Sequence, residues 1–315
     1  MTGPMHGPGF HSSSGSETQG ENKVNTMARQ DIYETRRVST WNGLVSLYDA
    51  SNWATWDWAF RGENSADKDL CTSLERNLSR IEGFDFKKTP NVEYRLVREF
   101  KRQAQHFIES LPKANDILEW LSIMRHHGAP TRLLDWTYSF YVAAYFAINR
   151  AKPKSKCAIW AIDVDWLEGR AVGSLPSRLQ KRWENLITSK RPELLNSVLE
   201  RQRRMVIPLN PFRLNERLVI QQGVFLAPGD ITKSFMDNLA AVAPRNQLRK
   251  KFMKIEIIVT ESFLKQAYIA LRSMNINEAT LFPGIDGFSR SLSSKPMDMD
   301  PKRFGSENAF RDIDT

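Results

Sequence analysis

Cysteine is scarce in this sequence, with only Cys71 and Cys157 among 315 residues. Neither belongs to a CxxC pair, and no other cysteine exists to complete a zinc set. The sequence therefore predicts free thiols in a reducing compartment, and we expect no bound metal.

Long apolar segments are also missing. The longest run, residues 138–148, is interrupted by Ser139, and it is too short for a membrane-spanning helix, which needs about 20 residues. The N-terminus lacks the charged-then-apolar order of a signal peptide. We therefore expect a cytoplasmic protein that does not enter a membrane.

Three familiar catalytic or nucleotide-binding motifs are absent from the sequence. There is no GxSxG nucleophile elbow, no GxxxxGK[ST] phosphate loop and no GxGxxG dinucleotide fingerprint. Candidate functional residues therefore have to lie outside these three motifs.

Positive charge is abundant and concentrated, with a net charge of +9. Residues 170–204 hold nine Lys and Arg against three Glu, and residues 245–254 hold five Lys and Arg with no acid. Such segments can bind nucleic acid or another anion, or they can form solvated helices without a ligand.

The order of the chain suggests one domain between two tails. Residues 1–30 are rich in Gly and Ser, which predicts a disordered tail. Residues 31–300 form the expected domain, and residues 301–315 a frayed end. Helical and strand patterns do not alternate regularly, which favours an α+β fold with a mixed or antiparallel sheet.

Apolar spacing predicts the individual elements. Helices are expected from residue 41 and at 92–111, 116–124, 141–149 and 261–275. Strands are expected at 56–62, 158–164, 218–220 and 255–259. Gly128 is expected to close a helix in a left-handed conformation.

The first candidate site is Phe60-Arg61-Gly62-Glu63. An Arg at the end of a strand offers a planar fork to a phosphate or carboxylate. Gly62 would let a ligand approach the backbone closely. The alternative is a structural Arg61 paired with Glu63 or Asp57.

The second candidate site is residues 125–137, which combine two His, two Arg, an Asp and two Thr. His126 near an acid is a candidate general base. Arg132 and Asp135 are expected to pair. The alternative is a structural cluster that fixes a buried loop, in which case replacing Arg132 or Asp135 by Ala lowers the melting temperature.

The third candidate site is residues 215–225, interpreted as a strand with a polar head followed by a Gln-Gln-Gly turn. Either Glu216 or Gln222 is expected to reach a cleft. The alternative is an ordinary strand with polar ends.

A series of motifs in this order resembles the FRG domain, a bacterial module named after its Phe/Tyr-Arg-Gly motif. The matching stretches are 60–63 (FRGE), 74–76 (LER), 126–137 (HHGAPTRLLDWT), 143–147 (AAYFA), Arg217 with 222–225 (QGVF), and 281–287 (LFPGIDG). The sequence departs from the usual pattern at Glu63, Arg125 and His127, and each departure changes charge beside the site.

The same order is also similar, at the level of the fold, to ADP-ribosyltransferases, which bind NAD. That resemblance implies that Arg61 holds a phosphate and that Thr137 or Ser139 orients the nicotinamide half. It also implies that Glu216 stabilises the oxocarbenium-like state and activates the acceptor. If Glu216 points away, Gln222 takes its place without acting as a base.

The resulting hypothesis is a polar cleft built from five side chains: Arg61, His126, Arg132, Asp135 and Gln222. The first function is an NAD-dependent ADP-ribosyltransferase or glycohydrolase acting as a toxin or anti-phage effector. The alternative is a non-catalytic module that binds nucleic acid or another anion through its basic segments.

Overall fold

A computed structural model describes residues 32–292, apart from residue 52 and residues 54–56, 184–191 and 212–215. The expected tails at 1–30 and 301–315 lie outside the described residues. So does Trp56, which was expected to begin a strand.

A seven-stranded mixed sheet forms the centre of the molecule, in the order β1-β7-β4-β2-β3-β6-β5. The strands are β1 (Glu34–Val38), β2 (Trp58–Glu63), β3 (Leu134–Thr137), β4 (Lys156–Asp163), β5 (Val206–Leu209), β6 (Gly223–Pro228) and β7 (Phe252–Ile258). β1 and β7 run parallel, whereas the other neighbours are antiparallel. The α+β fold with a mixed sheet is therefore confirmed.

Helices connect the strands and cover the sheet. They are α1 (Trp41–Ala50), α2 (Ser73–Leu78), α3 (Thr89–Ala104), α4 (Ile117–His126), α5 (Phe140–Ile148), α6 (Val164–Gly173), α7 (Ser177–Trp183), α8 (Pro192–Glu200), α9 (Glu216–Ile220), α10 (Phe235–Ala240), α11 (Arg245–Leu248), α12 (Glu261–Ser273), α13 (Glu278–Leu281) and α14 (Ile285–Leu292). Residues 86–88 add one turn of 3-10 helix.

Successive side chains along a strand point to opposite faces of the sheet. Both faces are buried because the central strands carry apolar side chains on each of them. On β2, Phe60 joins the cluster that includes α5, whereas Ala59 joins the cluster on the opposite face. On β4, Ile159 and Trp160 divide in the same way. The alternation places Arg61 and Glu63 on the face opposite α5.

β2 and β3 are paired at one position, Phe60 with Thr137. Beyond it, the Arg61 Nη1 donates to the carbonyl oxygen of Asp135 at 2.6 Å. A side chain thus bridges the two strands where the backbone ladder stops, and a crevice opens beside them.

Local signals placed several elements correctly. The Asp116 side chain accepts a hydrogen bond from the Glu119 backbone at the start of α4. Gly128 follows that helix with a φ of 81°. The cap and the left-handed turn are therefore confirmed.

Two element predictions are wrong. Residues 218–220, expected in a strand, belong to the helix α9, and the strand begins only at Gly223. The helix expected to end at residue 111 ends at Ala104. Beyond Ala104 the expected apolar face gains no burial, since Phe107 is 82 % exposed, and at 218–220 three apolar residues are too short a pattern to distinguish a strand from a helix.

Within the described part of the chain, no helix is long and apolar enough to cross a membrane.

Candidate functional site

A polar cavity of about 840 Å³ opens at the crevice between β2 and β3. This volume is typical of small-molecule sites. The charged side chains in its lining are Arg61, Lys68, Arg76, Arg80, Arg125 and Arg217 together with Glu63, Asp69, Glu75 and Asp135. Cationic side chains outnumber acidic ones, so the cavity favours an anionic ligand.

Arg61 is held in place by a carboxylate and by a backbone carbonyl. Its Nε donates to Glu63 Oε1 at 2.8 Å, and its Nη2 lies 2.6 Å from the same oxygen. Its Nη1 reaches the Asp135 carbonyl. The pairing with Glu63 that the sequence left open is present, and it fixes a largely buried guanidinium at the cavity wall.

Gly62 serves the packing of α5 against β2. A Cβ at this position would lie 2.1 Å from the Ala143 carbonyl oxygen and 2.4 Å from the Ala147 nitrogen. The neighbour that requires a glycine is therefore a helix backbone, whereas the sequence suggested a ligand. Gly62 still contributes to the cavity lining.

Asp135 pairs with Arg125, whose Nε donates to its Oδ2 at 2.7 Å. Burial opposes the charge of Asp135, but Arg125, with Arg61 and Arg217 further away, holds its pKa below the usual range. The expected Arg132–Asp135 pair is wrong. Arg132 is 5 % exposed and pairs with Glu93, outside this cavity.

Arg217 and Gln221 are two of the cavity residues that sequence reasoning did not assign to the site. Arg217 lies on α9, and Gln221 directly follows that helix and donates its backbone N–H to the Arg217 carbonyl at 3.0 Å. Both line the cavity. Glu216 and Gln222 are exposed and do not line the cavity.

The Arg217 guanidinium lies 4.6 Å from the centre of the Phe282 ring. Among the described residues, no hydrogen bond or ion pair engages it. Burial lowers its pKa, and Arg125 and Arg290 lower it further, although Asp135 opposes them. Arg217 is therefore a partly buried cation with repelling neighbours.

Thr137 and Ser139 use their hydroxyl groups within the protein. Thr137 lines the cavity, and its Oγ1 donates to the Gln221 carbonyl at 2.6 Å and accepts from the Ser139 nitrogen at 2.9 Å. The Ser139 hydroxyl accepts from the Val142 nitrogen at the start of α5, away from the cavity. Both residues fix the junction of β3 and α5.

His126 lines a smaller adjoining cavity of about 240 Å³. Arg125, Asp135, Arg217 and Gln221 line both cavities. Partial burial lowers the pKa of His126, and His127 and Arg217 lower it further. Its imidazole is therefore neutral at pH 7 and can accept a proton beside the main cavity.

The structure therefore brings part of the predicted site together. Arg61, Gly62, Asp135 and Thr137 line the main cavity, and His126 lines the adjoining one. The remaining predicted residues line neither cavity; these are Arg132, Ser139, Glu216 and Gln222.

Cys71 also lines the main cavity, but it is not an activated nucleophile. Burial, with a contribution from Glu75, raises its pKa to about 12, and burial raises the pKa of Cys157 to about 12.

Because the thiolate is the reactive form, we expect neither thiol of the folded protein to be alkylated by iodoacetamide at pH 7.5. Mass spectrometry after a timed exposure measures this, with protein unfolded in guanidinium as the control. Rapid alkylation of Cys71 in the folded protein would contradict the expectation.

Several cations of the two basic segments are used internally. Buried Lys254 donates to the Ala66 carbonyl and lies over the Tyr33 and Trp160 rings. Lys251 pairs with Asp163 at 2.6 Å. The exposed cations in these segments include Arg178, Lys181, Arg201, Arg204, Arg245, Arg249 and Lys250. Lys190 and Arg191 lie outside the described residues.

No group of three or more His, Cys, Asp or Glu side chains is arranged as metal ligands would be, within the residues described. The candidate site is therefore defined by its arginines and their carboxylate partners.

Fold and site together define an α+β protein with an arginine-lined cavity in its central sheet. Residues 56–156 match the model of the FRG domain. This segment therefore carries an FRG domain, as its motifs predicted. Comparisons with curated proteins and with solved structures gave no match. The matched segment carries Arg61 and Asp135, whereas Arg217 and Gln221 lie beyond it.

Proposed function

We propose that the main cavity binds a phosphate-bearing nucleotide, with NAD as the first candidate. We further propose that the protein transfers ADP-ribose from NAD or releases it to water. The observation that carries the proposal is Arg217, a cation that lines the cavity with no anionic partner in direct contact among the described residues.

The charges around Arg217 support a ligand that brings negative charge. Arg61 and Arg125 are each paired with a carboxylate, Glu63 and Asp135. Arg217 has no direct ion pair among the described residues; Asp135 and Glu278 attract it from a distance, whereas Arg125 and Arg290 repel it. A partly buried cation is costly unless it is paired, and a guanidinium binds phosphate oxygens through two parallel hydrogen bonds.

The remaining lining suits the other parts of a nucleotide. Phe146 and Trp136 contribute aromatic surface to the same cavity, and aromatic rings pack favourably against a base. The volume of about 840 Å³ accommodates a ligand larger than a single phosphate.

The acid that the transferase reaction requires has to lie in the cavity. Because Glu216 is exposed and outside the lining, we assign its proposed role to Glu63. Its carboxylate is fixed by Arg61 at 2.6 Å. A fixed negative charge stabilises an oxocarbenium-like state because it needs no reorganisation during the reaction.

Calorimetric titration of the full chain with NAD tests the binding step. We expect the Arg217→Gln variant to bind NAD about tenfold to a hundredfold more weakly, which is typical of losing a charged hydrogen bond. Arg249→Gln, which changes an exposed arginine outside the cavity, is the matched control and should bind like the unaltered protein.

A nicotinamide-release assay separates binding from reaction. Glu63→Gln should bind NAD and lose turnover. If the unaltered protein binds NAD without releasing nicotinamide, the catalytic part of the proposal fails and a nucleotide-binding module remains. If millimolar NAD does not bind, NAD is the wrong ligand.

A non-catalytic anion-binding surface is the second candidate function. Arg170 on α6 donates to the Val242 carbonyl at 3.1 and 3.2 Å, which joins the first basic segment to the loop before α11. The two basic segments are therefore linked through this contact. Binding of duplex DNA that weakens steeply with salt would support this function.

We propose that the protein, by consuming NAD, acts as a toxin or an anti-phage effector. The reducing cytoplasm expected for two free thiols is where we propose that the protein acts.

A further inference from the structure

A second cavity, of about 510 Å³, shares no lining residue with the main cavity. It is lined by α3, α8 and the segment leading into α4. We propose that it binds a small organic anion with an apolar, ring-sized body. This proposal is independent of the function of the main cavity.

A buried ion pair lines this second cavity. The Arg132 Nε donates to Glu93 Oε1 at 2.8 Å and to Oε2 at 2.9 Å, and the Nη1 donates to the Leu199 carbonyl at 3.2 Å. Glu93 is 6 % exposed. Because each charge neutralises the other, the pair leaves no excess charge for a ligand to meet.

The remaining charge around the cavity is positive. Arg98, Lys101 and Arg102 line it, against a single further acid, Glu200. Lys101 donates to the Ala114 carbonyl, and Arg102 pairs with Glu99. In the described part of the chain, Arg98 has no hydrogen bond or ion pair. Arg98 is therefore available to an anionic group at the cavity edge.

Apolar side chains form a large part of the walls. Val97, Ile117 and Leu199 form apolar surface, and the largely exposed Tyr94 contributes a ring. The Asn196 side chain donates to the Asn115 carbonyl at 2.6 Å. Its Oδ1 is buried and has no hydrogen-bond partner among the described residues.

These features define the class of ligand. Because the Asn196 Oδ1 is not exposed to the cavity, it offers no acceptor to a ligand. Apolar walls of this extent favour an aromatic or aliphatic body. Arg98, at the edge of the cavity, attracts a carboxylate, sulfonate or phosphate group.

1-Anilinonaphthalene-8-sulfonate combines an apolar ring system with an anionic group and is a fluorescent probe. We expect it to bind the native full chain saturably. Arg98→Glu should weaken binding about fivefold, because it reverses a charge at a partly solvated contact. Arg95→Glu makes the same change on the same helix outside the cavity lining and should have no effect.

Two further measurements identify the site. Neutral N-phenyl-1-naphthylamine, which lacks the sulfonate, should bind the unaltered protein and Arg98→Glu equally. Arg217→Gln should leave sulfonate binding unchanged, because Arg217 lines only the main cavity and its small neighbour. Equal weakening by Arg95→Glu and Arg98→Glu, weakening by Arg217→Gln alone, or no saturable binding would each overturn the proposal. The melting temperature of each variant shows that it is folded.

Discussion

Gly62→Ala is expected to lower the free energy of unfolding by about 3 kcal/mol or more, which exceeds the usual cost of overpacking a core. The added Cβ would meet backbone atoms of α5, at 2.1 Å from the Ala143 oxygen and 2.4 Å from the Ala147 nitrogen. Backbone atoms inside a helix cannot rotate away as a side chain can. Strand and helix would therefore have to separate, which also distorts the cavity wall at Arg61.

Gly169→Ala is the matched control for this substitution. Gly169 lies within α6, and an added Cβ meets nothing within 4 Å. Alanine in a helix interior should raise stability by about 0.5 to 1 kcal/mol. Urea denaturation of both variants measures the difference. A Gly62→Ala protein as stable as the parent would show that β2 and α5 are less tightly packed than described.

Arg132→Ala is expected to cost about 3 to 5 kcal/mol, because it leaves a buried charge without a partner. Arg132 and Glu93 have 6 % and 8 % of their side-chain surfaces exposed. Asp135→Ala breaks a pair that is more open to water, with 25 % and 38 % exposed. It should cost about 1 kcal/mol or less, so the two variants should differ clearly in melting temperature.

The double variant Glu93→Leu with Arg132→Met separates charge from packing. Replacing a buried ion pair by apolar side chains of similar size is often neutral or stabilising. We therefore expect the double variant to recover most of the stability that Arg132→Ala loses. If it is as unstable as the single variant, the hydrogen bond from Arg132 to the Leu199 carbonyl contributes more than the ion pair does.

Predictions made from local patterns were the most successful. The Asp116 cap, the left-handed Gly128 and the apolar helix at 140–148 depend on neighbours in sequence. The strand β4 was equally clear, since a run buried on both faces leaves a nearly uninterrupted apolar pattern. The apolar residues 255, 257 and 258 also indicated β7, although Lys254 and Glu256 interrupt its pattern. β1 was missed because its sequence, ETRRV, is charged and lies at the sheet edge.

The candidate site depended on contacts between distant residues, which spacing does not reveal. Arg132 was assigned to Asp135, three residues away, but its partner Glu93 lies 39 residues away. The run 218–220 resembled a strand with polar ends, so Glu216 and Gln222 were the residues expected to reach a cleft. A short helix forms instead, and the residues that line the cavity are Arg217 on the helix and Gln221 just after it.

The edge strand β1 has a consequence for how the protein is made. Its partner is β7, and the ion pair between Arg37 and Glu256 joins residues 219 positions apart. At ordinary translation rates, β7 leaves the ribosome roughly 10 to 45 s after β1. During that interval, β7 is not available to pair with the backbone N–H and C=O groups of β1. The charged side chains of β1, which obscured its strand pattern in the sequence, also disfavour its pairing with another chain before β7 is made. Strands nearer to one another along the chain can pair earlier, whereas β1 can join the sheet only after β7 has been made.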